Sequence, residues 1–309
     1  MPPDDDDAEL YLRRVNLNFI MFAQNASGNK DWVAMDSLPA DCTTTITGSD
    51  IWGVNNLSFK GLKVVFITGG RTFSVAKTHD GKLLTWGTCF SGELGRRSYA
   101  RLFSARAGFV NNIPTIRQVS CGNQHVIALS VSGECITWGN NRMGQLGYCT
   151  DSVWNKKPTK VGCIPGKCAK VAAGKMHTFC IDEIGQAWAW GCNSHGQLGR
   201  EGKDLASCNQ PQVVSLREKD SSVISVAGGG CHSALVTECG KVYTFGWGLY
   251  QQLGHGSDLR NSNKPKLVEE LIGVGIFSPL AGSLSGIRVA DCGEWHTAGV
   301  FFCIFETYT

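Results

Sequence analysis

The stretch that decides the fold is residues 122–147, which read GNQHVIALSVSGECITWGNNRMGQLG. It contains a Gly-x-x-His turn and two short runs rich in Val, Ile, Thr and Trp, separated by Ser132-Gly133. Runs of about five such residues joined by an x-Gly turn are typical of a β-hairpin. A Gly-Gln-Leu-Gly segment closes the stretch. The sequence therefore predicts an antiparallel hairpin with a glycine turn on each side.

The same markers recur along the chain in the same order. The hairpin glycines are 52, 52 and 55 residues apart, at Gly81, Gly133, Gly185 and Gly240. An aromatic residue followed by Gly stands five residues after each of them, as in Trp138-Gly139. Gly-x-x-His turns recur at 174–177, 229–232 and 293–296, with a degenerate copy at 70–73. So regular a period indicates tandem copies of one structural unit.

Each unit of about 52 residues is long enough for a small antiparallel sheet of roughly four strands. One such sheet cannot bury both faces alone, so the units must pack on each other. The sequence thus predicts an all-β chain folded as a β-propeller of four-stranded blades. We place full units at 64–115, 116–167, 168–221 and 222–286, a degenerate unit at 16–63 and a partial unit at 287–303. Residues 1–15 are expected to be a disordered acidic tail, and residues 304–309 a second tail.

The combined motif resembles the regulator of chromosome condensation repeat. That motif runs Gly-x-x-His-(Thr/Ser), x-Gly, Trp-Gly and Asn-x-x-Gly-Gln-Leu-Gly, with its fullest copies at 116–167 and 168–221. The resemblance covers about residues 60–300, and it implies a seven-bladed propeller. The N-terminal block with Trp32 and Trp52-Gly53, together with 140–147, looks like the regulator of chromosome condensation 2 branch.

Only about five to six of the seven blades can be placed in the 309 residues. After Thr297–Val300 the next hairpin turn and Trp-Gly pair are missing. We therefore expect an incomplete propeller and a truncated sequence. An open ring would expose strand edges and blade faces, which is an aggregation hazard.

The residues that every unit shares are expected to maintain the architecture. Repeated histidines one blade apart cannot form one site, and a buried imidazole needs hydrogen-bond partners. The predicted structural set is Gly122, His125, Gly133, Trp138, Gly174, His177, Gly185, Trp190, Gly229, His232, Gly240, Phe245, Gly293 and His296. Cys121 and Cys292, which precede two of the motif glycines, are interpreted as small buried apolar residues.

Composition and motifs exclude several functions. The 14 cysteines include no Cys-x-x-Cys pair, so neither a metal site nor any other cofactor is predicted. No secretory signal is visible, which favours free thiols and a cytoplasmic or nuclear location. No apolar run approaches the roughly 18 residues of a membrane span. Phosphate-binding and nucleophile-elbow motifs are also missing from the sequence, so we predict no enzyme.

A photoreceptor function is disfavoured as well. The plant ultraviolet-B receptor of this family uses clustered tryptophans at a Gly-Trp-Arg-His-Thr motif. Here the nearest match is residues 293–297, which lack the arginine. No matching tryptophan occurs in another unit.

The loops after each Leu-Gly depart most from the repeat. Two of them combine cations with aromatic residues, a composition enriched at binding hot spots. The predicted partner surface comprises Arg96, Arg97, Tyr99, Arg101, Phe103, Arg106, Trp154, Lys156, Lys157 and Lys160. The alternative is an ordinary solvated surface whose long side chains cover apolar area.

Three functions remain open. The first is a non-catalytic scaffold that binds proteins; for the branch named above, the resemblance implies small GTPases and mitotic chromosome or microtubule structures as partners. The second is a guanine-nucleotide exchange factor for a small GTPase, although no β-wedge insertion is visible and the insertion 269–286 has no assigned function. The third is chromatin or DNA binding through the basic loops, which a net charge of only +3 disfavours.

Overall fold

The computed structural model describes residues 21–24, 30–33, 62–97, 103–150, 152–200, 207–216, 222–256, 260–269, 286–292 and 297–302. The described strands are β1 (Met21–Gln24), β2 (Lys30–Val33), β3 (Val64–Gly69), β4 (Phe73–Thr78), β5 (Leu83–Thr88), β6 (Phe103–Phe109), β7 (Ile116–Cys121), β8 (His125–Ser130), β9 (Cys135–Asn140), β10 (Trp154–Lys160), β11 (Cys168–Ala173), β12 (His177–Asp182), β13 (Ala187–Cys192), β14 (Ser207–Val213), β15 (Val223–Gly228), β16 (His232–Thr237), β17 (Val242–Gly246), β18 (Ser262–Leu267), β19 (Gly286–Cys292) and β20 (Thr297–Phe302).

Four of the described sheets have four antiparallel strands in plain sequence order. We call them blade 1 (β3–β6), blade 2 (β7–β10), blade 3 (β11–β14) and blade 4 (β15–β18). The remaining strands form the pairs β1–β2 and β19–β20. The first strands of successive blades contact one another, and β19 continues the series beside β15. First strands therefore lie innermost and fourth strands outermost. The predicted fold class, an all-β propeller of four-stranded blades, is confirmed.

The core lies between the blades. Strands β8 and β9 of blade 2 are buried along their whole length, because neighbouring blades cover both faces of the sheet. Trp138 packs into the cluster shared by blades 1 and 2, and Trp190 into the one shared by blades 2 and 3. Phe245 fills the equivalent place between blades 3 and 4. One large aromatic residue per interface explains why each repeat needs it.

The glycine after that aromatic residue has a steric cause. Gly139 has φ of 108°, and a Cβ there would lie 2.4 Å from the carbonyl oxygen of Gln124. Gly139 pairs with His125 across the hairpin, so the two motifs of the repeat meet at one point. A side chain at this position would break the hairpin.

Several predicted segments lie outside the described residues: the tail 1–15, most of the unit 16–63, most of the insertion 269–286 and residues 304–309. In the part of the chain that the structure describes, no helix has the length and apolar character needed to span a membrane.

Candidate protein-interaction face

Each blade has two ends with different loops. The Gly-x-x-His loops and the turns after the third strand lie at one end, which we call the loop face. The turns between second and third strands, such as the one at Ser132-Gly133, lie at the opposite end, the hairpin face. Loops carried on a rigid sheet scaffold are where propellers place binding residues.

A series of backbone hydrogen bonds fixes the inner loops of the loop face. The amide of Arg71 donates to the carbonyl of Asn123 at 3.0 Å, and the amide of Asn123 donates to the carbonyl of Lys175 at 3.1 Å. The amide of Lys175 donates in turn to the carbonyl of Gly229 at 2.9 Å. These bonds link four consecutive blades, so the loop residues stand side by side in a fixed order.

The outer turns of the loop face are fixed by their own side chains. In blade 2, the amide of Met143 donates to Gln145 Oε1 at 2.9 Å, and the amide of Leu146 donates to Asn141 Oδ1 at 3.0 Å. Blade 3 repeats both bonds with Gln197 and Asn193. The Asn-x-x-Gly-Gln-Leu-Gly motif is therefore a self-bonded turn, and its two x residues are presented to solvent.

Each of these turns also rests on the next blade. A Cβ at Gly92 in blade 1 would lie 2.6 Å from the Cα of Lys156 in blade 2. Gly144 and Gly196 meet Asn209 and Asn263 in the same way. The start of each fourth strand is thus held against the turn of the preceding blade. This packing brings Trp154 and Lys156 next to the blade 1 turn that carries Phe90.

A cleft of about 490 Å³ opens on the loop face where blades 1, 2 and 3 meet. Its walls combine apolar side chains with amides and two cations. The lining residues are Phe90, Ser91, Asn123, Gln124, Asn140, Arg142, Met143, Gln145, Val153, Trp154, Lys175 and Met176. None of these carries a carboxylate. Phe90 is 62% exposed and Trp154 44%, so large apolar surface lies open to a partner.

Exposed apolar side chains continue along the loop face onto blade 4. Leu249 and Tyr250 occupy the two x positions of its turn and are 51% and 62% exposed. Trp247 lies between Tyr250 and His195 of blade 3, with ring centroids 5.2 and 5.5 Å away. Contiguous exposed apolar residues of this kind indicate an interaction surface.

The sequence-predicted surface is only partly present. Arg97, Lys156 and Lys157 are exposed, and Trp154 lies on the wall of the cleft. Arg96 differs from the others because its guanidinium is half-buried inside blade 1, and its contact with a partner stays a prediction. It donates to Thr85 Oγ1 at 3.1 Å, to the Thr85 carbonyl at 2.9 Å and to Ser104 Oγ at 3.1 Å.

Lys160 lies apart from the other cations of the predicted surface, and its contact with a partner stays a prediction. It lies at the far end of β10, away from the cleft, and its Nζ is 2.6 Å from Glu134 Oε1. Its charge is therefore offset near the hairpin face. Tyr99 and Arg101 lie outside the described residues, as do the side chains of Phe103 and Arg106 in β6.

The repeated histidines that are described lie inside the propeller. His125 Nε2 is 2.9 Å from Thr178 Oγ1, and His177 Nε2 is 3.0 Å from Ser233 Oγ, each partner being in the next blade. Thr178 already donates its hydroxyl proton to the Gln145 carbonyl at 2.8 Å. His125 must therefore donate from Nε2, which fixes its tautomer. His232 is equally buried, whereas Gly293 and His296 lie outside the described residues.

Burial keeps these imidazoles neutral. It lowers the pKa of His125 to about 4 and, helped by the neighbouring histidines, the pKa of His177 to about 3. Their motif glycines leave no room for a substituent, since a Cβ at Gly122 or Gly174 would lie 2.1 Å from the ring. Neither histidine is available for catalysis at the surface.

Sequence reasoning missed most of the cleft. Phe90, Met143 and Met176, which line it, lie within repeat motifs that we interpreted as purely architectural. The available signal was the variation at the x positions: Phe90 in blade 1 corresponds to Arg142, Ser194 and Leu249 in the later blades. Positions that vary inside a fixed turn mark the surface that the turn presents.

The four-stranded blades packed side by side, the self-bonded turns and the buried histidines together define a β-propeller built from regulator of chromosome condensation repeats. The family description RCC1-like domain matches residues 53–301. The chain belongs to this family.

Two curated relatives illustrate the breadth of the family. Residues of this chain are 33% identical over 239 residues to the probable E3 ubiquitin-protein ligase HERC6 of Homo sapiens, covering 76% of the chain and 22% of that protein. They are 33% identical over 245 residues to RCC1 domain-containing protein RUG3, mitochondrial, of Arabidopsis thaliana, covering 77% and 54%. The matched part of this chain thus corresponds to about a fifth of the length of the first relative and about half of the length of the second.

A solved structure shares the fold. The structure of Prp20p from Saccharomyces cerevisiae, described with its binding properties to Gsp1p and histones, superposes with a TM-score of 0.67. The match is 20% identical in sequence and covers 80% of this chain and 58% of that one. The proposed branch within the family is not tested by these comparisons and stays a prediction.

Proposed function

We propose that this chain is a non-catalytic propeller that binds a protein partner through its loop face. The main support is the cleft where blades 1, 2 and 3 meet. Its exposed Phe90 and Met143 stand on turns fixed by their own hydrogen bonds, and its Trp154 begins strand β10. A rigid apolar surface loses little entropy on binding. A rigid cleft lined by apolar side chains favours binding of a partner over catalysis of a reaction.

The cleft also indicates the chemistry of the partner. Arg142 and Lys175 line it, Arg71 is exposed beside it, and no lining residue is acidic. Apolar anchors surrounded by cations suit a protein surface that combines large apolar side chains with Asp or Glu. Salt should slow association with such a partner, because long-range steering by these cations is screened.

Prp20p, with its described binding to Gsp1p and histones, supports a protein partner as the class to test. Guanine-nucleotide exchange on a small GTPase is the alternative that the family implies. Its mechanism would be stabilisation of the nucleotide-free GTPase, with no covalent step in the propeller. The ligase names of some relatives belong to much longer proteins, so they contribute no activity to this proposal.

The test places a photo-crosslinking amino acid at one position of the full chain at a time. Positions 90, 143 and 154 report on the loop face. Val131 and Ile184, which are 63% and 84% exposed on the hairpin face, are matched apolar controls. We expect one protein to crosslink from the loop-face positions and not from the controls. Equal crosslinking from both faces would contradict the proposal.

Binding of the crosslinked protein is then measured with purified components. The double variant Met143→Glu/Trp154→Glu should weaken binding by at least about 10-fold, since it removes apolar anchors and cancels positive charge. Val131→Glu/Ile184→Glu should leave binding unchanged. If the partner is a GTPase, accelerated nucleotide release favours the exchange alternative. If DNA competes and affinity falls steeply with salt, nucleic-acid binding is favoured instead.

A further inference from the structure

Three cysteine side chains converge where blades 2 and 3 meet. Cys135 comes from β9, Cys168 from β11 and Cys180 from β12, and their sulfur atoms all lie within 4.8 Å of one another. The Sγ atoms of Cys168 and Cys180 are 3.6 Å apart. All three side chains are at most 3% exposed. The cluster joins residues that are far apart in sequence, so a search for Cys-x-x-Cys pairs could not find it.

The chain's own repeats show that packing does not require cysteine here. The equivalent positions between blades 1 and 2 are Leu83, Ile116 and Ala128, which share one apolar core. Between blades 3 and 4 they are Ala187, Val223 and Leu235, which share another. At the interface between blades 2 and 3 all three positions are cysteine. A single cysteine could replace one of these apolar residues without further consequence. Three cysteines at one contact point also place three sulfur atoms where they could bind the same metal ion.

The spacing suits a shared metal ion better than a disulfide. A metal–sulfur bond of about 2.3 Å places the sulfurs of a trigonal or tetrahedral site roughly 3.8–4.0 Å apart. The sulfur atoms of Cys168 and Cys180 are 3.6 Å apart, and those of all three cysteines lie within 4.8 Å of one another. A disulfide would need about 2.05 Å, and it would leave the third thiol unused.

The ligand set selects the kind of ion. Among the described residues, no histidine or carboxylate completes the group. Structural zinc almost always takes four ligands, whereas thiolates favour soft ions such as Cu(I). We propose that Cys135, Cys168 and Cys180 form a three-thiolate site for Cu(I). Each coordinating thiol releases its proton to solvent when the metal–sulfur bond forms, and no change of oxidation state is involved.

The surroundings provide access and positive charge. A cleft of about 310 Å³ opens at the hairpin face, and Cys135 and Cys168 belong to its lining. Lys167 lines the same cleft. Arg117 donates to the main-chain oxygen of Cys168 at 3.3 Å and of Ala169 at 2.7 Å. The buried carboxylate of Asp182 also lies beside Cys168, on the paired strand β12, so a bound ion itself must supply the charge that deprotonates the thiols.

The test uses the reduced full chain under anaerobic conditions. Cu(I) is titrated in competition with a chromogenic chelator, and X-ray absorption is recorded on the loaded wild-type protein. We expect one Cu(I) per chain with a first shell of sulfur only, and a rise in melting temperature on loading. A shell containing nitrogen or oxygen, or Cu(I) held no more tightly than by the control variant below, would overturn the proposal. Stoichiometric binding of Zn²⁺ without Cu(I) would overturn it too.

Variants identify the ligands. Cys135→Ser, Cys168→Ser and Cys180→Ser should each weaken Cu(I) binding by at least about 100-fold, more than the loss of an outer-shell partner causes. The matched control is Cys163→Ser, which removes an exposed thiol from the loop beside the same cleft. Circular dichroism verifies folding, and absorption data on the wild type decide the question if a variant does not fold. Cu(I) affinity unchanged in all three folded variants would place the ion elsewhere.

Discussion

The indole Nε1 of Trp190 donates a hydrogen bond of 2.9 Å to the main-chain oxygen of Gln145 in the preceding blade. Trp138 makes the same bond to Glu93 at 2.8 Å. Phe245 fills the equivalent position in the next interface without a donor. Trp138 and Trp190 therefore each join their blade to the glycine turn of the blade before it, and the two motifs of the repeat depend on each other.

Replacing Trp190 with Phe should destabilise the propeller. The Trp190→Phe variant loses one hydrogen bond and part of a fully buried ring, which together cost about 1–3 kcal/mol. Urea unfolding followed by circular dichroism measures the change. Trp154→Phe, at a 44% exposed position, is the control and should cost much less. An unchanged unfolding midpoint for Trp190→Phe would show that the interface bond contributes nothing.

The buried histidines should make the fold sensitive to mild acid. Their pKa values lie below the ordinary 6.5, at about 4 for His125 and about 3 for His177. Between each folded-state pKa and the ordinary value of 6.5, the unfolded chain therefore binds more protons than the folded chain. The free energy of unfolding falls as the pH decreases through this range. At pH 5 the loss should be on the order of 1–2 kcal/mol per histidine relative to pH 7. Denaturant titrations across this range measure it.

A variant assigns that pH dependence. His177→Gln keeps an N–H donor for Ser233 but cannot be protonated, so the decrease of stability between pH 7 and pH 5 should be smaller than in the wild type. His79→Gln, at an exposed position, should keep the wild-type dependence. If both variants follow the wild-type curve, titration of His177 is not coupled to unfolding.

Glu93 should make blade 1 less stable than glutamine would at the same position. It is fully buried at the turn position where blades 2, 3 and 4 have glutamine, and burial raises its pKa. Its Oε2 accepts from the Ser91 amide at 2.8 Å, but its buried Oε1 has no hydrogen-bond partner. Glu93→Gln should stabilise the chain by about 1 kcal/mol at pH 7.

That gain has a characteristic pH dependence. A raised folded-state pKa means that wild-type stability decreases as the pH rises through it, so the advantage of Glu93→Gln should vanish near pH 4. The control has the opposite sign: Lys160 lowers the pKa of the partly exposed Glu134, so Glu134→Gln should bring a small loss at pH 7. Thermal melts at both pH values test the pair. Lower stability of Glu93→Gln at pH 7 would contradict the explanation.

The fold was predictable because the repeat restricts the backbone. Positive φ at Gly133 and Gly139, and the close approach of Gly122 to the His125 ring, allow only glycine, so these positions recur in the sequence. The buried aromatic residue recurs because every interface has the same cavity to fill. These constraints are local to one unit and its neighbour, so a single sequence displays them.

The candidate site was less predictable because it depends on contacts between units. Charge and loop position placed Arg96 on the surface, but a serine and a threonine of the same blade bind its guanidinium inward. Phe90 and Trp154 line the same cleft only because β10 packs against the blade 1 turn. Cys135 and Cys168 likewise come together across an interface that no sequence spacing reveals.

The adjacent residues Arg96 and Arg97 should therefore have separable effects. Arg96→Ala removes three hydrogen bonds in blade 1 and should cost about 1–3 kcal/mol of stability. Arg97 is exposed, so Arg97→Glu should change stability by less than about 0.5 kcal/mol. Combined with Lys156→Glu, it should nevertheless weaken partner binding, because two exposed cations of the predicted partner surface are reversed. Chemical denaturation and binding of the crosslinked partner are measured on the same preparations. Unchanged stability of Arg96→Ala would show that the hydrogen bonds of this guanidinium do not stabilise blade 1. Unchanged binding by the double variant Arg97→Glu/Lys156→Glu would exclude these two residues from the interface.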